Sequence, residues 1–470
     1  MLTSRAAVLA AAAAWFDAGA LLADLRRRVA YRTESQDPGS GETLERYLRE
    51  EIRPSVERLG FHASLWTNPV AGAPPMLFAE RFEDPASPTV LMYGHGDVVA
   101  GYAEQWREGR SPWALTAVDD RWYGRGTADN KGQHTINLAA LDRILDARGC
   151  LGFNAKLLIE MGEEVGSPGL RAVCERRAAA LCADVLIASD GPRLSSRRPT
   201  IFLGSRGAFN FDLHVDLREG AHHSGNWGGL LANPGTILAN AIAALVDARG
   251  RILVDALRPA PIPESVRRAL ATIEPGEPGG PALDRDWGEP SLTPAERVFG
   301  WNALEVLAFR SGNPERPVNA IPPRARANLQ VRFVAGCDWR TFIPAIRAHL
   351  DARGFVTVRI VQGTMEPMAA TRLDPDDPWV RWASASVAAT TGNVPAILPN
   401  LGGSLPNDCF ADVLRLPTIW VPHSYPACSQ HAPDEHMLAD VAREGLQIMT
   451  GLFWDLGTPG SPPAVQRART

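Results

Sequence analysis

Thr89-Val90-Leu91-Met92-Tyr93-Gly94-His95-Gly96-Asp97 is a short apolar run that ends in glycine, imidazole and carboxylate. A run of this length bounded by glycine reads as a buried strand. Further short apolar runs lie at residues 156–159 and 185–188, while residues 41–59 have helical period. Between them, residues 130–148 place Ile136, Leu138, Leu141, Ile144 and Leu145 at helical spacing, with Gly149 positioned to close the helix. Strands separated by helix-length segments predict an α/β fold, a mixed and largely parallel sheet with helices on both faces.

After Gly204 the pattern changes. Phe209, Phe211, Leu213 and Val215 alternate with Asn210, Asp212, His214 and Asp216, the period of a half-exposed antiparallel strand. A helix is expected over 234–249, strands over 304–309 and 325–334, a helix over 339–353 and a strand over 356–361. This β-α-β-β-α-β order resembles a ferredoxin-like α+β domain. Residues 259–294, rich in proline, glycine and acids, are expected to form a surface excursion within it. Near residue 370 the parallel style resumes, with a last apolar strand at 418–421. The expected layout is a catalytic domain in two parts, 1–204 and 369–470, interrupted by a smaller inserted lid and dimerisation domain, 205–368.

A chain of 470 residues calls for more than one core. A hydrophobic share of 45%, a charged share of 21% and a net charge of -5 describe an ordinary globular protein with no basic footprint for nucleic acid. Six cysteines without a C-x-x-C pair suggest neither a thiolate zinc site nor a disulfide framework, and fit a reducing cytoplasm. Arg5 followed by the apolar run 6–16 has some look of a signal peptide. The run is nearly all alanine, however, and continues through Leu21, Leu22, Leu25 and Val29 at helical spacing, so one amphipathic N-terminal helix is expected. No stretch reaches the ~20 apolar residues of a membrane span.

The chemistry gathers where strands end. His95 and Asp97 follow the first strand, Glu163 and Glu164 the second, and Asp190 the third, and His431 lies a short loop beyond the last. Asp129 is in a loop before a helix. Open α/β sheets bind ligands at that edge, so residues distant in sequence can converge there. Imidazole with carboxylate suits zinc, with manganese or cobalt as alternatives, and two histidines with three carboxylates can serve two metals if one carboxylate bridges. In extended backbone, adjacent side chains point to opposite sides, so one of Glu163 and Glu164 can ligate while the other acts as base. His95 and Asp97 can face the same way, which suits an aspartate orienting its histidine. Any one of these pieces alone is commonly a hydrogen-bonded pair, a solvated face or a helix cap; their joint placement points to a site.

Three segments, Gly94-His95-Gly96-Asp97-Val98-Val99, Tyr123-Gly124-Arg125-Gly126-Thr127-Ala128-Asp129-Asn130-Lys131-Gly132 and Gly162-Glu163-Glu164-Val165-Gly166-Ser167, resemble signatures of one dinuclear zinc metallopeptidase family. Its members include aminoacylase, carnosinase, succinyl-diaminopimelate desuccinylase and glutamate carboxypeptidase. The resemblance implies two divalent metal ions held by His95, Asp129, Glu164, Asp190 and His431, with Asp129 bridging. It further implies Glu163 as general base and Asp97 as the residue that orients His95. His431, in Gln430-His431-Ala432-Pro433-Asp434-Glu435, is preferred over the flanking His423 and His436. In the inserted domain, Ala221-His222-His223-Ser224-Gly225 resembles the segment whose histidine steadies the tetrahedral intermediate; register favours His223, with His222 as the fallback. In the carnosinase-like branch that histidine reaches the partner's site, which implies a homodimer. Asn319 within Val318-Asn319-Ala320-Ile321-Pro322, together with Arg332, resembles the substrate-carboxylate region, and Gly402-Gly403-Ser404 the glycine-rich substrate loop.

The implied function is metal-dependent hydrolysis of the amide bond of a dipeptide or small peptide, with Glu163 acting on water held at a dinuclear centre. N-acyl-amino-acid deacylation and N-carbamoyl-amino-acid hydrolysis are the alternatives. A catalytically inactive metal-binding relative is disfavoured because both glutamates and every expected ligand are present.

Overall fold

The structure is a computed structural model that describes residues 4–276, 281–363 and 366–463. At the N-terminus the sequence led us to expect one helix, but there are two, α1 (Arg5–Asp17) and α2 (Ala20–Val29), bent by 57°. Gly19, at φ 80°, makes the break, a conformation that costs glycine little. The bend keeps both apolar faces inward, so that Val8, Ala12, Phe16, Leu21, Leu25 and Val29 are all buried. Among the described residues no single helix is long and apolar enough to cross a membrane.

The chain then lays down β1 (His62–Trp66), β2 (Met76–Arg81), β3 (Thr89–His95), the helix α3 (Lys131–Arg148), β4 (Asn154–Glu160), β5 (Val185–Ala188) and β6 (Thr200–Phe202). Gly149 ends α3 at φ 78°, as its position in the sequence led us to expect. The inserted segment follows with β7 (Gly207–Asp216), α4 (Pro234–Leu245), α5 (Glu264–Leu270), α6 (Pro294–Phe299), β8 (Ala303–Ser311), β9 (Arg324–Phe333), α7 (Phe342–Asp351) and β10 (Arg359–Gln362). The chain returns through α8 (Pro378–Thr391), β11 (Ala396–Leu398), β12 (Thr418–Trp420) and α9 (Ala439–Leu456).

The main sheet has the order β1-β2-β4-β3-β5-β12-β6-β11. Its centre, β4-β3-β5-β12, is parallel, and antiparallel pairs flank it on both sides. Alternate strand residues serve two cores. Val90, Met92, Val185 and Ile187 pack with α1, α2, α3 and α9, while Leu91, Tyr93, Leu186 and Ala188 pack on the other face. This sheet is the α/β fold expected from the sequence.

The inserted segment forms a four-stranded antiparallel sheet, β8-β9-β7-β10. In chain order that is 4-1-3-2 read from β10, the ferredoxin-like arrangement. One face, carrying Phe209, Phe211, Leu213 and Val215, packs with Leu238 of α4 and Phe342 of α7 into its own core. Asn233 caps α4 by accepting from the Gly235 and Thr236 amides, ahead of Pro234 in the first turn.

Residues 259–294 differ from expectation. Ile262, Val266, Leu270, Ile273 and Leu292 do not ride on the inserted sheet; with Phe299 they join the main-sheet core beside Phe202, Leu398 and Trp420. The residues at 277–280 within this stretch lie outside those described. Proline and glycine density advertised loop, yet five apolar side chains spaced through it were enough to hold α5 and α6 against the sheet.

Candidate active site

His95 is the last residue of β3, Asp190 stands two residues beyond β5, and His431 lies in the loop after β12. Asp129 stands two residues before the first residue of α3, joined by a cis peptide bond to Asn130, the residue that caps the helix. Glu163 and Glu164 occupy a single 3₁₀ turn, Glu163–Val165, rather than the extended backbone expected. The turn separates the two carboxylates all the same: Glu164 is directed at His431, and Glu163 stands outside either ligand group described next.

Asp129 is the centre of the arrangement. Its Oδ1 lies 2.9 Å from His95 Nε2, and its Oδ2 lies 3.0 Å from His431 Nε2. Asp190 Oδ2 approaches His95 Nε2 at 3.6 Å, and Glu164 Oε2 approaches His431 Nε2 at 3.1 Å. Two groups result, His95–Asp129–Asp190 and Asp129–Glu164–His431, each with its potential ligand atoms within 4.8 Å of one another. They share only Asp129, so the site is a candidate dinuclear centre. Gln430 also donates to Asp129 Oδ2.

Asp97 joins two parts of the site. Its Oδ1 lies 3.3 Å from His95 Nδ1, and its carboxylate accepts the amides of Glu163 at 3.2 Å and Glu164 at 3.1 Å. The residue between His95 and Asp97 has no room for a side chain. A Cβ on Gly96 would sit 2.4 Å from the Tyr47 ring and 2.7 Å from Met161 Sδ.

The electrostatics are those of crowded buried acids. Burial and then the neighbouring Asp129 charge push Glu164 up to about 7 and Asp190 up to about 6. Burial raises Glu163 well above the carboxylate range, against the opposing pull of His95. For Asp129 burial acts upward, but hydrogen bonds from His431 and His95 outweigh it and hold the acid below its usual range. Hydrogen bonds to Asp129 and Glu164 raise His431 to about 11. Asp190 Oδ2 is buried without a hydrogen-bond partner. Such a cluster asks for added positive charge.

The centre opens into a cleft of about 670 Å³. Arg332, Gly402, Gly403 and Ser404 line it. Arg332 donates to Ser404 Oγ at 2.8 Å and to Gln330 Oε1 at 2.9 Å. His223 and Asn319 are placed elsewhere: neither is among the described residues that line the cleft. They sit together at a short two-stranded ribbon, where His222 and the exposed His223 pair with Ile321 and Ala320 and the Ser224 amide donates to Asn319 O at 2.9 Å. The disfavoured His423 and His436 are occupied otherwise. His423 is buried against Ser189 Oγ at 3.1 Å, and His436 is bonded to the Tyr425 hydroxyl.

Two contributors went unassigned in the sequence. Glu435 Oε1 accepts the amides of Gly126, Ala128 and Asp129 at 3.0, 3.0 and 3.1 Å, and its Oε2 accepts Arg125 Nη1 at 2.6 Å. It therefore ties the loop of Asp129 to the loop of His431, four residues away. Its signal was its place in the His431 segment. The second, Arg206, donates to the Arg332 carbonyl at 3.2 Å, and burial followed by the Arg332 charge brings its guanidinium down to about 10. No pattern marked it. The His431 loop also holds Ser429, His431 and Asp434 at φ 57°, 60° and 61°, left-handed conformations that such side chains adopt at a cost of about 1–3 kcal/mol each.

A sequence model of peptidase family M20/M25/M40 matches residues 91–455. Beta-Ala-His dipeptidase of Rattus norvegicus is 34% identical over 206 residues, 43% of this chain and 42% of the rat protein, so the match spans less than half of that relative. Cysteinylglycine-S-conjugate dipeptidase of Corynebacterium striatum is 28% identical over 331 residues, 68% of this chain and 70% of its own. Among solved structures, an M20 family metallo-carboxypeptidase from Sulfolobus solfataricus superposes with a TM-score of 0.78 at 26% identity, covering 93% of this chain and 99% of that one.

Proposed function

The chain belongs to peptidase family M20/M25/M40, and on that premise we propose that it is a dinuclear-metal dipeptidase, hydrolysing the amide bond of a dipeptide or small peptide. The observation that carries this reading is one carboxylate, Asp129, facing two histidine–carboxylate groups at once, with Glu163 beside both and in neither.

The donor set fits divalent cations: three carboxylates, one of them with an orphaned oxygen on Asp190, and two imidazoles suit zinc first, with manganese or cobalt as alternatives. His95, Asp129 and Asp190 would hold one ion, and Asp129, Glu164 and His431 the other. When bound, such a pair polarises a carbonyl and makes water more acidic. With its Nδ1 proton donated to Asp97, His95 offers Nε2 as the ligating nitrogen. Glu163 takes the proton of the attacking water and returns it to the leaving amine. Its burial raises its proton affinity, which favours taking the proton from water. Arg332, braced by Ser404, receives the substrate carboxylate.

His223 supplies the oxyanion donor from a second copy, in a homodimer formed through residues 205–368, the lid and dimerisation domain of a catalytic unit built from 1–204 and 369–470. Two features favour this: His223 is exposed and outside its own chain's cleft, and nearby strand β8 is an edge that leaves Val306, Leu307 and Phe309 exposed. Asn319, beside His223, then belongs to the same trans contribution. We place the protein in the cytoplasm, in keeping with six free cysteines.

The test is release of free amine from dipeptides set against N-acetyl and N-carbamoyl amino acids, using metal-loaded protein with Glu163→Gln as the control. Turnover confined to the N-acetyl or N-carbamoyl compounds would replace the dipeptidase reading with deacylase or carbamoylase.

A further inference from the structure

We propose that the cleft contains an apolar subsite for the side chain of the substrate's C-terminal residue, walled by Val298 and Phe299 of α6, so that large apolar residues are preferred there. The inference rests on the dipeptidase reading and adds a substrate class to it.

The cleft is chemically divided. One end is the acid and imidazole cluster. The lining also includes an apolar set, Phe202, Leu398, Leu401 and Leu405 from the main-sheet side and Val298 and Phe299 from α6. Arg332, hydrogen-bonded to Ser404, lines the same cleft. Ser404 and Gly402 are two residues apart, so their Cα atoms are separated by at most about 7.6 Å. Gly402 faces α6: a Cβ built on it would meet Val298 Cγ1 at 3.7 Å and Phe299 Cε1 at 3.9 Å. The carboxylate anchor and the apolar wall are therefore within reach of a single amino acid, whose carboxylate and side chain branch from one Cα.

Two polar groups on the inserted-sheet side, Gln330 and Asn210, are already engaged. Gln330 accepts from Arg332 Nε at 2.9 Å and donates to Asn210 Oδ1 at 2.8 Å, so these three side chains engage one another. A glycine at the C-terminus would leave the wall uncovered, and an acidic residue would bury its charge against it. A leucine, methionine or phenylalanine would cover it. The wall lies just beyond residues 259–294, and Phe299 packs in the main-sheet core together with Ile262, Val266, Leu270 and Leu292 of that stretch.

The test compares kcat/KM for Ala-Leu and Ala-Phe with Ala-Gly and Ala-Asp on metal-loaded protein. Burial of a leucine side chain predicts a preference for Ala-Leu over Ala-Gly of about tenfold or more. Val298→Glu is expected to collapse that ratio toward one and to favour Ala-Lys. Gly402→Ala, whose methyl would come into contact with Val298 and Phe299 and narrow the subsite, is expected to raise KM for Ala-Leu more than for Ala-Gly. Calorimetric binding of Ala-Leu and Ala-Gly to the Glu163→Gln protein gives a readout independent of turnover, and Ala-Leu is expected to bind more tightly.

Hydrolysis of Ala-Gly as efficient as that of Ala-Leu, or a ratio unmoved by Val298→Glu, overturns the subsite and leaves the dipeptidase reading standing. Tighter binding of Ala-Leu with no hydrolysis of any dipeptide supports the subsite and overturns that reading instead.

Discussion

Replacing Glu435 by alanine should unhinge the metal site without touching a ligand. The side chain and its partner Arg125 are each about 1% exposed, and Arg125 Nη1 lies 2.6 Å from Glu435 Oε2. The other oxygen accepts three amides of one loop, the last of them from Asp129 itself. Alanine leaves a buried guanidinium unpaired, which costs about 3–5 kcal/mol, and orphans three amides that incoming water can only partly satisfy. Against a total stability of ~5–15 kcal/mol, a loss near 4 kcal/mol is a large share. Glu435→Gln keeps an acceptor for the amides and loses only the charge, so a smaller loss of about 1–3 kcal/mol is expected. Urea unfolding of metal-free protein, followed by circular dichroism, measures both. Arg125→Leu combined with Glu435→Ala should recover part of the loss, because the unpaired charge is gone. The expected companion effect is weaker metal binding in Glu435→Ala, since Asp129 loses its backbone anchor. An alanine variant within about 0.5 kcal/mol of the parent, or a double variant no better than the single, would refute this reasoning.

Four further outcomes are expected. Glu163→Gln should keep two metal ions and the parent's melting behaviour while losing about 10²–10⁴-fold in turnover; substantial residual activity would remove Glu163 as the base. His223→Ala should lower kcat by about 10²–10³-fold, and co-expression with Glu163→Gln should restore activity through mixed dimers in which one composite site is whole. No recovery would place the histidine's action within one chain or nowhere. Chelating divalent metal should lower the melting temperature and adding it back should restore it, because Asp129, Glu163, Glu164 and Asp190 crowd one buried point; a melting temperature indifferent to chelator would count against the centre. Burial holds His423 well below the usual histidine range, so the folded chain stays neutral there while the unfolded chain takes up a proton below about pH 6.5. Stability is therefore present above that pH and falls as pH drops, by up to about 1.4 kcal/mol per pH unit from this residue. His423→Phe should flatten the slope between pH 6 and pH 5, measured by urea midpoints at each pH.

The β3 run and its terminal His95-Gly96-Asp97 were readable because a buried parallel strand is a continuous apolar stretch, and because metal-capable groups at its end interrupt it sharply. The alternation of β7 was readable for the same reason in its antiparallel form. The α1–α2 break was not, since alanine and leucine spacing runs straight through Gly19. Nor was the 3₁₀ turn at Glu163, which is held partly by the Asp97 carboxylate from another strand end. The packing of α5 and α6 was hidden behind proline and glycine content, because local composition reports turns and says little about which core a short apolar helix will reach.

Residue types and their order along the chain were sufficient for the α/β class, the inserted ferredoxin-like unit and the inventory of imidazoles and carboxylates. Side-chain periodicity is local, and so are the groups that can ligate a metal. The tertiary structure alone decided that Asp129 faces two histidines, that Glu435 fastens its loop, that His223 lies outside its own cleft and that Val298 and Phe299 wall it. Each of these joins residues tens to hundreds of positions apart. Which partner such a residue meets is set by strand order and loop path, and neither is encoded in any one segment.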